Sequence, residues 1–176
     1  MSNMKKVKLF LTDVDGCLTD GGMYYGASGE ELKRFCVYDG MGMVCLQQSG
    51  IPCGILTSEN SAIVKARAEK LKLKYLYLGV GSRVNPECLT KLQVCEQICA
   101  ELGIGLENVC YVGDDINDID ILTAIAKAGG IAACPPNAMP AVRAIPGVRV
   151  LAHRGGDGAI RELCDEILEK ILIKEI

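Results

Sequence analysis

Lys8-Leu9-Phe10-Leu11-Thr12-Asp13-Val14-Asp15-Gly16 is an apolar run that ends in two carboxylates one residue apart. A short apolar run of this kind predicts a buried strand. The two acids then fall where that strand ends. Burying acids beside a packed strand is costly without compensation. A hard divalent cation such as Mg²⁺ would compensate, since it prefers carboxylate and carbonyl oxygens. A solvated turn is the other reading, because Asp and Gly are ordinary turn residues.

Recurrence favours the cation. Cys110-Tyr111-Val112-Gly113-Asp114-Asp115-Ile116-Asn117-Asp118 repeats the pattern of apolar run and acidic cluster. Pro52-Cys53-Gly54-Ile55-Leu56-Thr57-Ser58 is a third apolar run, ending in hydroxyls. In open α/β sheets ligands bind at the carboxyl ends of strands. Three strand ends therefore offer Asp13 and Asp15, Thr57, and Asp114 to one crevice.

The rest of the chain alternates in the same way. Strands are expected over 8–12, 52–56, 75–78, 109–112, 130–133 and 148–151, and helices over 40–49, 62–71, 91–102, 119–128 and 159–173. Alternation of this kind predicts a doubly wound, Rossmann-like α/β fold with a parallel sheet. Residues 21–37 break it: Met23-Tyr24-Tyr25, a turn at Gly26-Ala27-Ser28-Gly29, and a second arm over 32–37 read as a β-hairpin. The hairpin follows the first acidic pair and should lie beside the crevice. Exposed Met and Tyr on a hairpin point to burial against another subunit; packing on its own domain is the alternative.

The 176 residues suit a single domain, 1–176, with no large cap. A composition 49% hydrophobic excludes disorder, and a net charge of −3 argues against a nucleic-acid partner. No apolar stretch approaches the roughly 20 residues that span a bilayer, and the first residues lack the apolar core of a signal peptide, so a cytoplasmic protein is expected. Ten cysteines include no Cys-x-x-Cys, and His153 is the sole histidine, so zinc spacings are absent. Many of the cysteines (Cys45, Cys53, Cys95, Cys99 and Cys110) fall in apolar segments, as small buried hydrophobes that a cytosol keeps reduced.

A nucleophilic carboxylate, a metal, a hydroxyl and a cation together suit phosphoryl transfer, where catalysis is mostly positioning and charge neutralisation. An aspartate can form an aspartyl-phosphate, and a second acid two residues on can protonate the leaving oxygen and then activate water. Here the sequence resembles a known family. Asp13-x-Asp15-Gly16-x-Leu18-Thr19-Asp20-Gly21, Thr57, a downstream lysine and Gly113-Asp114-Asp115-x-x-Asp118 look like the four motifs of the haloacid dehalogenase superfamily. The hairpin, Gly40 and His153-Arg154-Gly155-Gly156-x-Gly158-Ala159-x-Arg161-Glu162 resemble its small capless branch of phosphatases acting on 2-keto-3-deoxy-octulosonate 8-phosphate (KDO) and 2-keto-3-deoxy-nononate 9-phosphate (KDN).

The resemblance implies a Mg²⁺-dependent phosphatase. Asp13 would be nucleophile and metal ligand, Asp15 the general acid/base with its carbonyl on the metal, and Asp114 the third protein ligand. Asp115 and Asp118 would support the metal, and Thr57 would bond the phosphoryl oxygens. The motif cation is Arg83 if the sequence is read without gaps, or Lys91 if an insertion over 84–90 precedes it; the helix spacing to Leu102-Gly103 favours Lys91. Ser58, Glu59, Arg67, Lys70 and Arg161 would contact substrate. Glu59, where eight-carbon enzymes of the branch carry Arg, tilts the expectation toward the nine-carbon or a sialic-acid-like substrate, with the octulosonate as the alternative. Arg67 and Lys70 share a helix face and would grip a carboxylate, or simply form a charged outer face. The branch closes its crevice by forming homotetramers, with the hairpin and Gly155-Gly156 serving a neighbour's site.

Two rivals come from other classes. A receiver domain would need its phospho-acceptor Asp on a later strand, and none stands at the end of 52–56. A non-catalytic oligomerisation module of a sialic-acid pathway would tend to lose motif acids, all of which are present here.

Overall fold

A computed structural model of the chain describes residues 3–82, 85 and 87–172. Six strands form one parallel sheet: β1 (Leu9–Thr12), β4 (Cys53–Leu56), β5 (Tyr75–Tyr77), β6 (Val109–Val112), β7 (Ile131–Cys134) and β8 (Arg149–Val150). Their order across the sheet is β5-β4-β1-β6-β7-β8. From β1 the chain winds first to one side and then to the other. The switch point therefore falls at β1, between β4 and β6, where such sheets open a crevice.

The strands form because both of their faces are covered. In β1, Leu9 and Leu11 enter one apolar layer and Phe10 the other, the period of two that a pleated strand dictates. One layer packs under α1 (Val37–Gln48) and α6 (Ala159–Leu172). The other lies under α3 (Lys91–Leu102) and α4 (Ile119–Ala128). Ala62–Leu71 forms α2, and the short α5 (Pro140–Arg143) begins on a proline, which costs nothing at a helix start. Among the described residues no helix is long and apolar enough to cross a membrane.

The insertion between β1 and α1 is a hairpin, β2 (Tyr24–Gly26) with β3 (Gly29–Leu32). Its second arm is shorter than the expected 32–37. Pairing of Gly26 with Gly29 leaves a two-residue turn, and Val37 already starts α1. The apolar run 35–37 thus belongs to the hairpin's exit and a helix start, where Asp39 sits in the first turn as the helix dipole favours.

Candidate active site

Asp13 follows β1 directly. Its N–H donates to Val112 O on β6 at 2.9 Å, and its Oδ1 accepts from Val14 N at 2.7 Å. The loop then folds back, with the N–H groups of Cys17 and Thr19 both donating to Val14 O. Gly16 takes φ +79°, and a Cβ there would overlap the Asp114 carboxylate. Only glycine lets the first acidic loop close against the second.

Lys91 opens α3, whose start is fixed by a reciprocal Thr90–Gln93 capping box. Its side chain is wholly buried, and Nζ lies 2.8 Å from Asp13 Oδ2 and 2.8 Å from Asp118 Oδ1. Asp118 also accepts from Tyr111 Oη, and from the N–H groups of Asp114 at 3.0 Å and Asp115 at 3.2 Å. Both of its oxygens are thus engaged by protein. It braces the second acidic loop and shares the lysine.

Asp13, Asp114 and Asp118 each bring a carboxylate oxygen within 4.8 Å of the others. Burial pushes the Asp114 carboxyl up to about 8, with Asp13 and Asp118 adding to the rise. Burial likewise raises Asp13, against the opposing pull of Lys91. Burial alone would push Lys91 down, but Asp13 and Asp118 outweigh it and hold the ammonium charged. Once ionised, three carboxylates facing one ammonium would carry two excess negative charges. That excess, and an all-oxygen donor set, fit a hard divalent cation. Asp13 and Asp114 retain the free lone pairs for it, the latter meeting only a long Cys17 Sγ contact at 3.7 Å.

Thr57 ends β4 almost wholly buried, its Oγ1 accepting from Glu59 N at 3.2 Å. Ser58 Oγ donates to Val80 O and accepts from Asn117 Nδ2 at 2.7 Å, joining the β4 and β6 loops. Asp13, Asp15, Thr57, Ser58, Glu59 and Asp114 line one crevice of about 480 Å³. Arg154 is the one cation among its described lining.

Other expected site residues lie elsewhere in the fold. Arg67 turns inward: Nη2 donates to Cys36 O at 3.2 Å, and the guanidinium lies over the Phe35 ring. Lys70 lines a separate depression beside Gln47 and Leu71. Arg161 Nε binds Asp165 on its own helix at 2.7 Å. None of the three reaches the crevice of its own chain, because α2 and α6 direct them to other faces. Gly155 and Gly156 also pack within their own chain. Gly156 N donates to Cys17 O at 2.9 Å, and a Cβ at Gly155 would overlap Gly16 O. Asn137 completes this clasp, donating to Gly16 O at 2.9 Å and accepting from Gly155 N at 2.8 Å. Arg83 lies outside the described residues.

Lys33, Asn137 and Arg154 are site neighbours that the sequence pattern did not single out. Lys33 Nζ lies 2.7 Å from both Asp15 oxygens. Nothing in the sequence marks this lysine among its charged neighbours.

A family model described as haloacid dehalogenase-like hydrolase matches residues 32–126. The 3-deoxy-D-manno-octulosonate 8-phosphate phosphatase KdsC of Escherichia coli (strain B / BL21-DE3) is 36% identical over 168 residues, 96% of this chain and 82% of the relative. Among solved structures, the 3-deoxy-D-manno-octulosonate 8-phosphate phosphatase of Moraxella catarrhalis, in complex with magnesium, phosphate and KDO, superposes with a TM-score of 0.83 at 35% identity, covering 95% of this chain and 88% of that one. The cobalt-bound deoxy-D-mannose-octulosonate 8-phosphate phosphatase of Haemophilus influenzae gives 0.82 at 32% identity, covering 96% and 91%.

Proposed function

The chain belongs to the haloacid dehalogenase-like hydrolases and is a phosphoric monoester hydrolase, and we propose that it removes phosphate from a 2-keto-3-deoxy sugar acid, 3-deoxy-D-manno-octulosonate 8-phosphate first. One observation carries the reading: Asp13, at the switch point of the sheet, holds its Oδ2 2.8 Å from the buried Lys91 ammonium and faces Asp114 across the crevice.

Asp13, Asp114 and the Asp15 carbonyl would hold Mg²⁺, which supplies charge neutralisation on the phosphoryl oxygens. An Asp13 oxygen attacks phosphorus through a remaining lone pair while Lys91 fixes the carboxylate. Asp15 gives its proton to the leaving oxygen as that O–P bond breaks, leaving the phosphoryl group on Asp13. Asp15 then takes a proton from water as the water oxygen attacks phosphorus and frees Asp13. Thr57 Oγ1 and nearby N–H groups bind the phosphoryl oxygens throughout.

Relatives of octulosonate specificity at 36% identity, across nearly the whole chain, support the eight-carbon substrate. The nine-carbon substrate remains a second reading on one observation, that Glu59 lines the crevice. Arg67 and Lys70, facing elsewhere, lend it no support within one chain. Measuring kcat/KM on both sugar-acid phosphates side by side tests the choice. A higher value on the octulosonate is expected, and a preference for the nononate of about tenfold, the scale of a peripheral contact, would reverse it.

The functional unit in this reading is a homotetramer. Tyr24, Tyr25 and Leu32 on the hairpin and Val37, Tyr38 and Met41 at the start of α1 are all more than half exposed. An apolar group of this size is what a subunit interface buries. Ten free cysteines support work in the reducing cytoplasm.

A further inference from the structure

We infer that Lys33 is a positioning residue for Asp15, tying the orientation of the proposed acid/base to the hairpin. The inference rests on the reading of Asp15 as the group that exchanges protons with the leaving oxygen and with water. Lys33 directly follows β3. Its Nζ meets Asp15 Oδ1 at 2.7 Å and Oδ2 at 2.7 Å, and its side chain is fully buried while that of Asp15 keeps 22% of its surface open to the crevice.

Nothing on the loop of Asp15 holds that carboxylate comparably. Among the described residues the remaining contact is Thr19 Oγ1 at 3.4 Å. The tie is also part of a strap of consecutive residues. Lys33 meets Asp15, Arg34 meets Asp20 at 3.3 Å, and Phe35 forms a β-bridge with Thr19. The Arg34–Asp20 pair is exposed and adds little. The Lys33 ammonium is buried and lies 2.7 Å from both Asp15 oxygens, a short charge-assisted pair. Ordering a four-carbon lysine stem costs rotamer entropy, and the strap spends it on the one carboxylate that must face the leaving oxygen.

Lys33 exchanges no proton in this account. It fixes the carboxylate plane, so its loss should slow the proton-dependent part of the reaction and spare the rest. Leaving groups separate the two. A sugar alkoxide needs a proton as its O–P bond breaks, whereas p-nitrophenolate departs without one. The value of kcat/KM reports the steps up to phosphoenzyme formation, so the two substrates are compared on it, with Asp15→Asn as the reference.

Asp15→Asn should lose at least about 100-fold on the sugar-acid phosphate and far less on p-nitrophenyl phosphate, the range of a lost general acid. Lys33→Met should show the same asymmetry, about tenfold or more against about threefold or less. Lys33→Arg, which keeps the charge and the donors, should recover part of the loss. Lys33→Gln is read in place of Lys33→Met if the latter does not melt cooperatively. Equal losses on both substrates, or none, would overturn the inference while Asp15→Asn still discriminates. If Asp15→Asn itself fails to discriminate, the acid/base reading falls and the inference with it.

Discussion

The buried acids set how the site responds to protons and metal. Asp13 and Asp114, near 3.8 in the unfolded chain, are raised by burial to about 7 and about 8 in the metal-free fold. Between those limits the folded state holds protons that the unfolded state has lost. The stability they contribute is therefore present at acid pH and falls away as pH rises through 7 to 8. A cation must displace the same protons, so its affinity rises over that window. Mg²⁺ should raise the melting temperature more at about pH 8 than at about pH 6, with proton release visible by calorimetry in several buffers. An equal or larger shift at the lower pH would contradict the assignment. Lys91→Met should cost at least about 100-fold in kcat, as expected for a lost charge stabiliser, and far more than Arg83→Ala. The reverse ranking would make Arg83 the motif cation, with the insertion following it.

These residues were legible because each follows an apolar run whose strand end is readable, as Asp13, Thr57 and Asp114 do. Lys91 was readable from helix spacing. Lys33, Asn137 and Arg154 were not, since their approach depends on the paths of the hairpin and the tail. Arg67 shows the converse: sharing a helix face with Lys70 says nothing about whether the guanidinium turns in to Cys36 and Phe35.

Among elements, the tail before α6 is the least obvious support of the nucleophile loop. Gly155 lies against Gly16 O so closely that no side chain fits, and Asn137 binds both. Gly155→Ala must displace backbone, which no flexible side chain can absorb. It should destabilise the fold by ~1–3 kcal/mol, the cost of overpacking, and lower kcat because the displaced loop carries Asp13. Denaturant melts and turnover of the variant check both. An unchanged kcat would mean that the clasp is not coupled to the nucleophile. The alternation of the six sheet strands and the longer helices was readable, down to the bounds of α2, α3 and α4. The hairpin's second arm was not, because the apolar residues 35–37 suit a strand or a helix start equally until Val37 is seen beginning α1. The four-residue α5 is too short to carry a periodic signal.

For the whole molecule, Met23 at the foot of the hairpin lines the crevice, and in the proposed tetramer the exposed aromatic and aliphatic residues there would form the surface that closes it. Burying each such side chain contributes on the order of 2 kcal/mol. The double variant Tyr25→Glu with Val37→Glu should therefore dissociate the assembly and lower activity in step. Light scattering and assay at matched concentrations read both, and a fully active wild-type monomer would refute the tetramer. In the proposed mechanism Asp13 becomes phosphorylated during turnover. Acid quench within a turnover, borohydride reduction and peptide mass spectrometry test it directly. Homoserine is expected in place of aspartate in the peptide spanning residues 13–15, at position 13 alone, and none in an Asp13→Asn protein of normal fold. Turnover with no label at that position, or a label at Asp15 or Asp114 instead, would contradict it.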